Sequence, residues 1–439
     1  MIPADDELVT TPWHRRWLRL ATVDVAPLRR HRDFRLLFIG RFVSFFGSMI
    51  SFVAVPYQLY QLTHSVLLIG FLGVLEFAAI LAVAFVGGAL ADAHDRRVMV
   101  LLTEVALMAC SLVLAANAAI ARPHVWVLFV VATAQGALDA LQRPSLDAMV
   151  PRLVSRDELP AAAALGNLRG TIGMILGPAL GGVLVAAVGL PFTYLVDVAT
   201  FVIGLACLGL MRAVPPPVDA ERPSLRRVIE GLRYAWSRQE LLGTYFIDMT
   251  AMFFGMPMAL FPAVAQGLGG PKVLGLLYAS PAIGSFLFSA SSGWTRHLHR
   301  HGMGVIVAAT AWGFAIIGFG FASSLWLAVF FLALAGAADA MSGVFRQVIW
   351  NQTIPDSLRG RLASIELISY SSGPALGNFE AGAVASIFNV RISIVSGGVL
   401  CVVGCVLGAI LLPRFRAYDA RQYHLAPDPA AGGVKREKQ

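Results

Sequence analysis

The sequence predicts an all-α membrane protein of about twelve transmembrane helices, arranged as two pseudo-symmetric six-helix halves. Three observations support this: an apolar composition, basic residues confined to alternate connections, and two motifs that recur in the same order. The chain has 439 residues, of which 57% are hydrophobic and 14% charged, and its mean hydropathy is +0.71. An average soluble protein carries roughly 25% charged residues and cannot bury so much apolar surface, so repeated membrane crossing is expected.

Apolar segments of bilayer-spanning length define the expected helices. At about 30–35 residues for each span and its connection, the chain accommodates roughly twelve. The predicted spans are residues 36–61, 66–90, 98–120, 124–149, 158–188, 191–212, 241–267, 272–295, 303–323, 325–350, 358–388 and 391–413.

Basic residues mark one set of connections and avoid the alternate set. The connections near His64, Arg122, Gly189, Lys272, Ser324 and Arg391 hold at most one basic residue each. The opposite set includes Arg96 and Arg97, Arg152 and Arg156, Arg222 to Arg233, Arg296 and Arg300, and Arg359 and Arg361. The positive-inside rule therefore predicts a cytoplasmic location for both termini. The net charge of +8 does not indicate nucleic-acid binding, because these residues sit at segment ends rather than in one patch.

The domain organisation follows from these segments. Residues 1–35 form a basic cytoplasmic segment, for which an amphipathic membrane-surface helix and a disordered tail are both open. The linker, 213–240, opens with Pro215–Pro217 and separates the first half, 36–212, from the second, 241–413. A cytoplasmic tail, 414–439, follows.

Two motifs recur in the second half. GALDA at 136–140 returns as GAADA at 336–340, and GPALG at 177–181 returns at 373–377. Their common order and equivalent positions predict a duplicated six-helix unit.

No cysteine or histidine pattern indicates a metal or a cofactor. Cys110, Cys207, Cys401 and Cys405 lie in apolar runs without a CxxC motif, so we expect small core side chains. The histidines at 297, 299 and 301 lie in a basic loop, where simple solvation and metal binding are both open. The sequence contains no Walker, GxSxG or HExxH motif, so neither an ATP-driven domain nor an enzyme is expected.

The stretch 87–97, GGALADAHDRR, changes abruptly from small and apolar to charged. A loop that merely ends a helix is one interpretation. Gly88, Asp92, Arg96 and Arg97 also resemble the loop between helices two and three of the major facilitator superfamily. That resemblance implies a cytoplasmic gate that holds the two halves together through the end of helix eleven. Ala93 and Asp95 depart from the family pattern.

A glycine and proline pattern lies in the fifth predicted span, at Gly173, Gly177, Pro178, Gly181 and Gly182. Small residues at four-residue spacing permit close helix packing. The full pattern resembles the antiporter motif of the same superfamily, which implies export by exchange.

The resemblance extends over nearly the whole chain and implies the major facilitator fold. Within the superfamily the chain is similar to the group of enterobactin exporters and macrolide efflux pumps, through VAVPYQLYQLTHS (53–65), VGGALAD (86–92) and LRGRLAS (358–364).

Charged residues within apolar spans usually face a cavity or a partner, because burial in lipid is costly. We select Glu76, Asp139 and Asp339 as proton-coupling candidates, with Arg143 and Arg169 as charge partners. Asp139 and Arg143 are four residues apart and share a helix face. A structural ion pair or a protonated structural Glu76 is the alternative interpretation.

The expected function is therefore secondary transport. We predict a monomeric exporter that exchanges protons for a small amphipathic molecule such as a siderophore or a drug, in contact with the lipid bilayer. An uptake symporter or facilitator on the same fold, or a non-transporting membrane receptor, is the alternative.

Overall fold

The computed structural model describes residues 24–423, apart from residues 94, 214–233, 235 and 237. It does not describe the side chains of residues 84–93, 356–370, 422 and 423. The predicted linker and tail therefore lie largely outside the described residues, as do residues 1–23 of the N-terminal segment. All regular structure in the described part is helical.

Within the described residues, twelve helices of eight or more residues carry the fold. They are α1 Arg32–Thr63, α2 Val66–Ala93, α3 Arg96–Ala119, α4 Val125–Leu153, α5 Leu159–Gly209, α6 Gln239–Phe254, α7 Phe261–Leu268, α8 Pro271–Ser291, α9 His301–Gly320, α10 Leu325–Thr353, α11 Asp356–Ile387 and α12 Val390–Leu411.

Local chemistry explains where several helices begin and end. Asp95 caps α3, because its carboxylate accepts a hydrogen bond from the Arg97 backbone N–H at 2.8 Å. Asn389 caps α12 in the same way, through the Ile392 N–H at 2.8 Å. α1 ends at His64, which has a left-handed backbone with φ of 52°.

Among the described residues, ten helical segments are long and apolar enough to cross a membrane. One of them joins two predicted spans: α5 runs from Leu159 to Gly209 and turns at Gly189, where φ is 78°. Glycine tolerates this positive φ, and Pro191 follows as the next helix turn begins. α11 is not among the ten, because many of its side chains lie outside the description.

The predicted span 241–267 is interrupted in the structure. α6 ends at Phe254, a 3₁₀ turn follows at Met258–Leu260, and α7 begins at Phe261. Gly255 and Pro257 lie in the break. Proline lacks the N–H needed to continue the helical ladder, so the sequence contains the physical cause.

The helices pack as two sets separated by the linker: an N-terminal region, residues 24–213, and a C-terminal region, residues 234–423. In the first, α1 packs along α5, α2 along α4, and α3 along α4 and α5. In the second, α10 packs on α8 and α9, and α12 on α9. α2 with α11, and α5 with α8, join the two regions.

Backbones approach closely where the two regions meet. A methyl group at Gly182 of α5 would lie 2.8 Å from the Gly275 nitrogen of α8, and one at Gly382 of α11 would lie 3.1 Å from Leu67 Cα of α2. These contacts lie toward the end of the bundle that holds the sparsely charged connections, which we call the charge-poor end. The opposite end is the charge-rich end.

Candidate functional site

A cavity of about 300 Å³ lies between the two regions, next to these close contacts and nearer to the middle of the bundle. That volume is at the lower limit of typical ligand pockets. Apolar side chains such as Phe52, Leu72 and Leu107 provide much of its lining. Its polar groups include Ser48, Ser51, Gln135, Asn378, Glu76 and Asp139.

Glu76 and Asp139 meet in this cavity because α2 and α4 approach each other at a glycine. A methyl group at Gly136 of α4 would lie 3.2 Å from the Glu76 carbonyl oxygen of α2. Asp139 follows Gly136 by three residues and therefore lies on a similar face of α4. The glycine of the GALDA motif thus positions the two carboxylates.

Neither carboxylate has a bonded partner. Among the described residues, no side chain or backbone group forms a hydrogen bond or an ion pair with Glu76 or Asp139. Asp139 is exposed although it lies midway along α4. No arginine or lysine in the described part of the chain lines the cavity. The site therefore offers two carboxylates in a mainly apolar surrounding.

The predicted charge partners do not line the cavity. Arg143 is exposed one turn beyond Asp139, and Arg169 is half-buried on α5. Neither forms an ion pair with Asp139 within the described structure. Arg169 instead faces Arg41, since α5 and α1 are in register at Gly173 and Phe45, four residues further along each helix.

An ion pair that the sequence analysis did not predict lies near this site. Arg41 of α1 contacts Glu104 of α3 at 2.6 Å and the Gln142 side-chain oxygen at 2.7 Å. Glu104 is fully buried. A single glutamate in an apolar stretch indicates that Glu104 needs a buried partner, but that partner, Arg41, lies 63 residues earlier in the chain.

Asp339 belongs to a different cluster. Arg346 of α10 forms an ion pair with Asp248 of α6 and lies 3.7 Å from Asp339 through its second terminal nitrogen. The structure therefore does not bring Asp339 into the cavity with Glu76 and Asp139. Its carboxylate is nevertheless partly exposed, at 43% of the side chain.

The basic residues of the predicted gate bond within the N-terminal region. Arg97 donates to the Leu208 and Gly209 carbonyls at 2.8 and 2.6 Å, and Arg96 donates to the Ala148 carbonyl at 3.0 Å. The side chains of Gly88 and Asp92, and those at the start of α11, lie outside the described residues. The gate therefore remains a prediction.

The glycine pattern of α5 serves two packing surfaces. Gly173, Gly177 and Gly181 lie against α1, and a methyl group at Gly181 would lie 3.0 Å from the Ile50 carbonyl oxygen. Gly182 lies against α8, as described above. Pro178 is buried, and its carbonyl faces Gly275 of α8.

Three helices hold the interrupted segment that follows α6. The Asn378 side-chain oxygen accepts a hydrogen bond from the Ala259 N–H at 2.8 Å. Trp312 donates to the Gly255 carbonyl at 3.0 Å, and Tyr278 donates to the Met258 carbonyl at 3.2 Å. These bonds replace lost helical hydrogen bonds. Asn378, Tyr278, Met258 and Ala259 all line the cavity, so the break forms part of its wall.

Known transporters share this fold. A POT family transporter, solved in complex with 5-aminolevulinic acid, superposes with a TM-score of 0.70 at 13% identity, covering 88% of this chain and 97% of that one. The nucleoside transporter NupG gives a TM-score of 0.67 at 13% identity, covering 88% and 98%.

Sequence relatives are exporters. An enterobactin exporter from Citrobacter koseri is 29% identical over 399 residues, covering 90% of this chain and 96% of that protein. An enterobactin exporter from Salmonella typhi is 28% identical over 400 residues, with the same coverage.

The family comparison extends across nearly the whole chain. Residues 22–438 match the family model described as transmembrane secretion effector. Together with the apolar helices, this match establishes a multi-pass transporter of the inner membrane and not an enzyme. The chain belongs to the transmembrane secretion effector family, a branch of the major facilitator superfamily.

Proposed function

We propose that this transporter is a proton-coupled exporter that exchanges protons for a small amphipathic molecule by alternating access. The main support is the pair of carboxylates, Glu76 and Asp139, that share one cavity without a bonded partner among the described residues. Carboxylates in a low-dielectric setting bind protons more readily than in water, so they suit a proton carrier.

We further propose twelve spans in two duplicated halves, 36–212 and 241–413. The repeated motifs support this, because their glycines make equivalent contacts. Gly136 of α4 lies against α2, and Gly336 of α10 lies against Pro281 of α8. Gly177 of α5 lies against α1, and Gly377 of α11 lies against α6. The turn at Gly189 then divides α5 into two spans, and α11 supplies another.

The charge-rich end faces the cytoplasm in this proposal, together with both termini, because basic residues favour that side. The close contacts between the two regions then lie on the outer side. The described conformation is accordingly closed outward, and Asp139 is accessible from the cytoplasmic side.

A transport cycle follows from this arrangement. A substrate enters from the cytoplasmic side, its hydrogen-bond donors bind the carboxylates of Glu76 and Asp139, and these two groups release their protons to the cytoplasm. The contacts at the charge-poor end then separate, and the substrate leaves outward. Protons from outside reload the carboxylates and favour the return. In this scheme Gly88, Asp92, Arg96 and Arg97 close the cytoplasmic side, and Gly173 to Gly182 let α5 slide against α1 and α8.

The substrate class is a small molecule with an apolar body and hydrogen-bonding groups. Ser48, Gln135 and the amide nitrogen of Asn378 offer such groups around the apolar wall. The relatives' names support a siderophore, and a drug-like molecule satisfies the same chemistry. We propose that the chain works as a monomer within the bilayer, since each half supplies the other's missing face.

An uptake symporter or facilitator is the alternative, because the same cavity and fold could serve inward transport. Cells that lack the protein would then take up less substrate, whereas loss of an exporter would cause substrate to accumulate inside.

Proton release on substrate addition tests the proposal. Purified protein in detergent at low buffer capacity receives candidate siderophores or drugs, and a pH dye records release. We compare the wild type with Glu76→Gln, Asp139→Asn and Asp339→Asn. Glu380→Gln is the matched control, because Glu380 is a carboxylate of α11 that does not line the cavity.

The expected result is substrate-triggered release that Glu76→Gln or Asp139→Asn abolishes and Glu380→Gln retains. Loss with Asp339→Asn alone would move the proton site to the C-terminal region. Substrate binding without release in the wild type would contradict antiport and favour the alternative.

A further inference from the structure

A second cavity, of about 430 Å³, lies at the charge-rich end of the C-terminal region. It is enclosed by the 3₁₀ turn Ser292–His297, the start of α9, the last turns of α10 and the short helix Ala420–Tyr423. The Ala420 N–H donates to the His299 carbonyl at 2.9 Å and fixes one wall. This cavity is separate from the one that holds Glu76 and Asp139.

A buried histidine lines this cavity and has a ring nitrogen without a hydrogen-bond partner. His301 is 7% exposed, and its Nδ1 has no hydrogen-bond partner. Its Nε2 lies 2.9 Å from the Leu298 carbonyl oxygen. A carbonyl only accepts, so Nε2 must carry the hydrogen. Nδ1 is therefore an acceptor when the ring is neutral, or a second donor when the ring is charged.

The wall of this cavity carries an excess of positive charge. Arg421 pairs with Asp419 at 2.7 Å, and hydrogen bonds from Arg421 lower the pKa of Asp419 to about 2. That pair is therefore neutral overall at physiological pH. Arg296 lines the cavity, is exposed, and has no ion pair or hydrogen bond in the described structure. Its charge remains available to a ligand.

Two apolar side chains place the cavity at the membrane boundary. Trp294 is 46% exposed and Leu298 is 41% exposed, on either side of Arg296. Tryptophan concentrates where lipid headgroups meet acyl chains. α9 also begins at His301, so the positive end of its dipole lies beside the cavity.

We propose that this cavity binds the headgroup of an anionic phospholipid that carries a free hydroxyl, such as phosphatidylglycerol. Arg296 contacts the phosphate, and the headgroup hydroxyl donates to Nδ1 of His301. The acyl chains lie along Trp294 and Leu298. A soluble phosphate ester would satisfy the first two contacts but would leave these exposed apolar side chains without a role. The proposal does not depend on the direction of transport or on proton coupling.

Lipid binding to the purified full chain provides the test. Delipidated protein in detergent is titrated with three short-chain lipids, and native mass spectrometry records occupancy. Phosphatidylglycerol has the phosphate and the hydroxyls, phosphatidylmethanol has the charge alone, and phosphatidylcholine has no net charge. The variant is Arg296→Gln. The matched control is Arg300→Gln, an exposed arginine of the same loop that does not line the cavity.

We expect the affinity to fall in the order phosphatidylglycerol, phosphatidylmethanol, phosphatidylcholine. Arg296→Gln should weaken phosphatidylglycerol binding by about fivefold, as expected for loss of one arginine near a membrane surface, and Arg300→Gln should leave it nearly unchanged. Equal binding of the three lipids, or equal effects of the two variants, would overturn the proposal. Competition by glycerol 3-phosphate at the affinity of the lipid would overturn the assignment to a membrane source.

Discussion

The two regions of the molecule handle their interior charges differently. In the C-terminal region, Arg346 contacts two carboxylates, Asp248 and Asp339, so each of them lies beside a cation. In the N-terminal region, Arg41 is committed to Glu104. Glu76 and Asp139 are thereby left without a bonded partner in the described structure.

This difference shows that helix packing and interior charge obey separate requirements. The glycines of the repeated motifs make equivalent helix contacts in the two regions. Asp139 and Asp339 occupy the same position in the two motif copies but have different surroundings, because Asp139 lines the cavity and Asp339 lies beside Arg346. Packing requires only a small residue at a fixed register. A proton site requires a carboxylate without a fixed cation, which the proposed function needs in one region only.

The largest expected effect is in the C-terminal cluster. Arg346→Met leaves Asp248 and Asp339 without their shared cation, and removal of one partner from a buried pair typically costs about 3–5 kcal/mol. We expect a lower melting temperature in detergent and lower yield. Adding Asp248→Asn should recover part of the stability, because it removes the uncompensated charge. An unchanged melting temperature for the single variant would contradict a stabilising role of Arg346 beside the two carboxylates.

The second prediction compares two glutamates of the N-terminal region. Glu104→Gln leaves Arg41 without its carboxylate and should destabilise the protein by up to about 3 kcal/mol. Glu76→Gln breaks no described contact and should change the melting temperature little, yet remove substrate-driven proton release. Thermal unfolding and proton release are measured on both variants. The reverse pattern would show that Glu76 serves packing and Glu104 serves coupling.

The smallest expected effect is a difference in stability loss between the two copies of one motif, at Gly136 and Gly336. A methyl group at Gly336 would overlap the Pro281 backbone, including its Cα at 2.6 Å, whereas one at Gly136 would lie 3.2 Å from the nearest atom. Overpacking typically costs about 1–3 kcal/mol. Gly336→Ala should therefore lower stability more than Gly136→Ala, as measured by thermal unfolding. Equal losses would imply that both regions pack with the same tightness.

Much of the fold follows from the sequence, because hydropathy and basic connections are properties of single segments. The described helices overlap the predicted apolar segments, and the turn at Gly189 lies at a predicted connection. The sequence analysis did not predict the break after Phe254, because the hydropathy stays high through it. Gly255 and Pro257 are the residues that indicate a helix end there.

The candidate site was less accessible to sequence reasoning. Glu76 and Asp139 were selected individually as charges near mid-span, and the structure shows that they share a cavity. The partners of the other charges depend on helix register across long separations, as for Arg41 with Glu104. Asp339 is selected with Asp139 as a charge within an apolar span, but Arg346 holds it in a separate cluster. A single sequence does not specify such registers.

The bare-backbone contact between Gly182 and Gly275 has an energetic consequence. Separating two glycine surfaces exposes little apolar area to water, so it incurs a small hydrophobic penalty. The glycine contact itself therefore adds little to the free energy needed to open the outer side. A proton that crosses a membrane polarised at 100 mV releases about 2.3 kcal/mol. In the proposed cycle, the protons supply the free energy that separates the remaining packing of α5 on α8 and of α2 on α11.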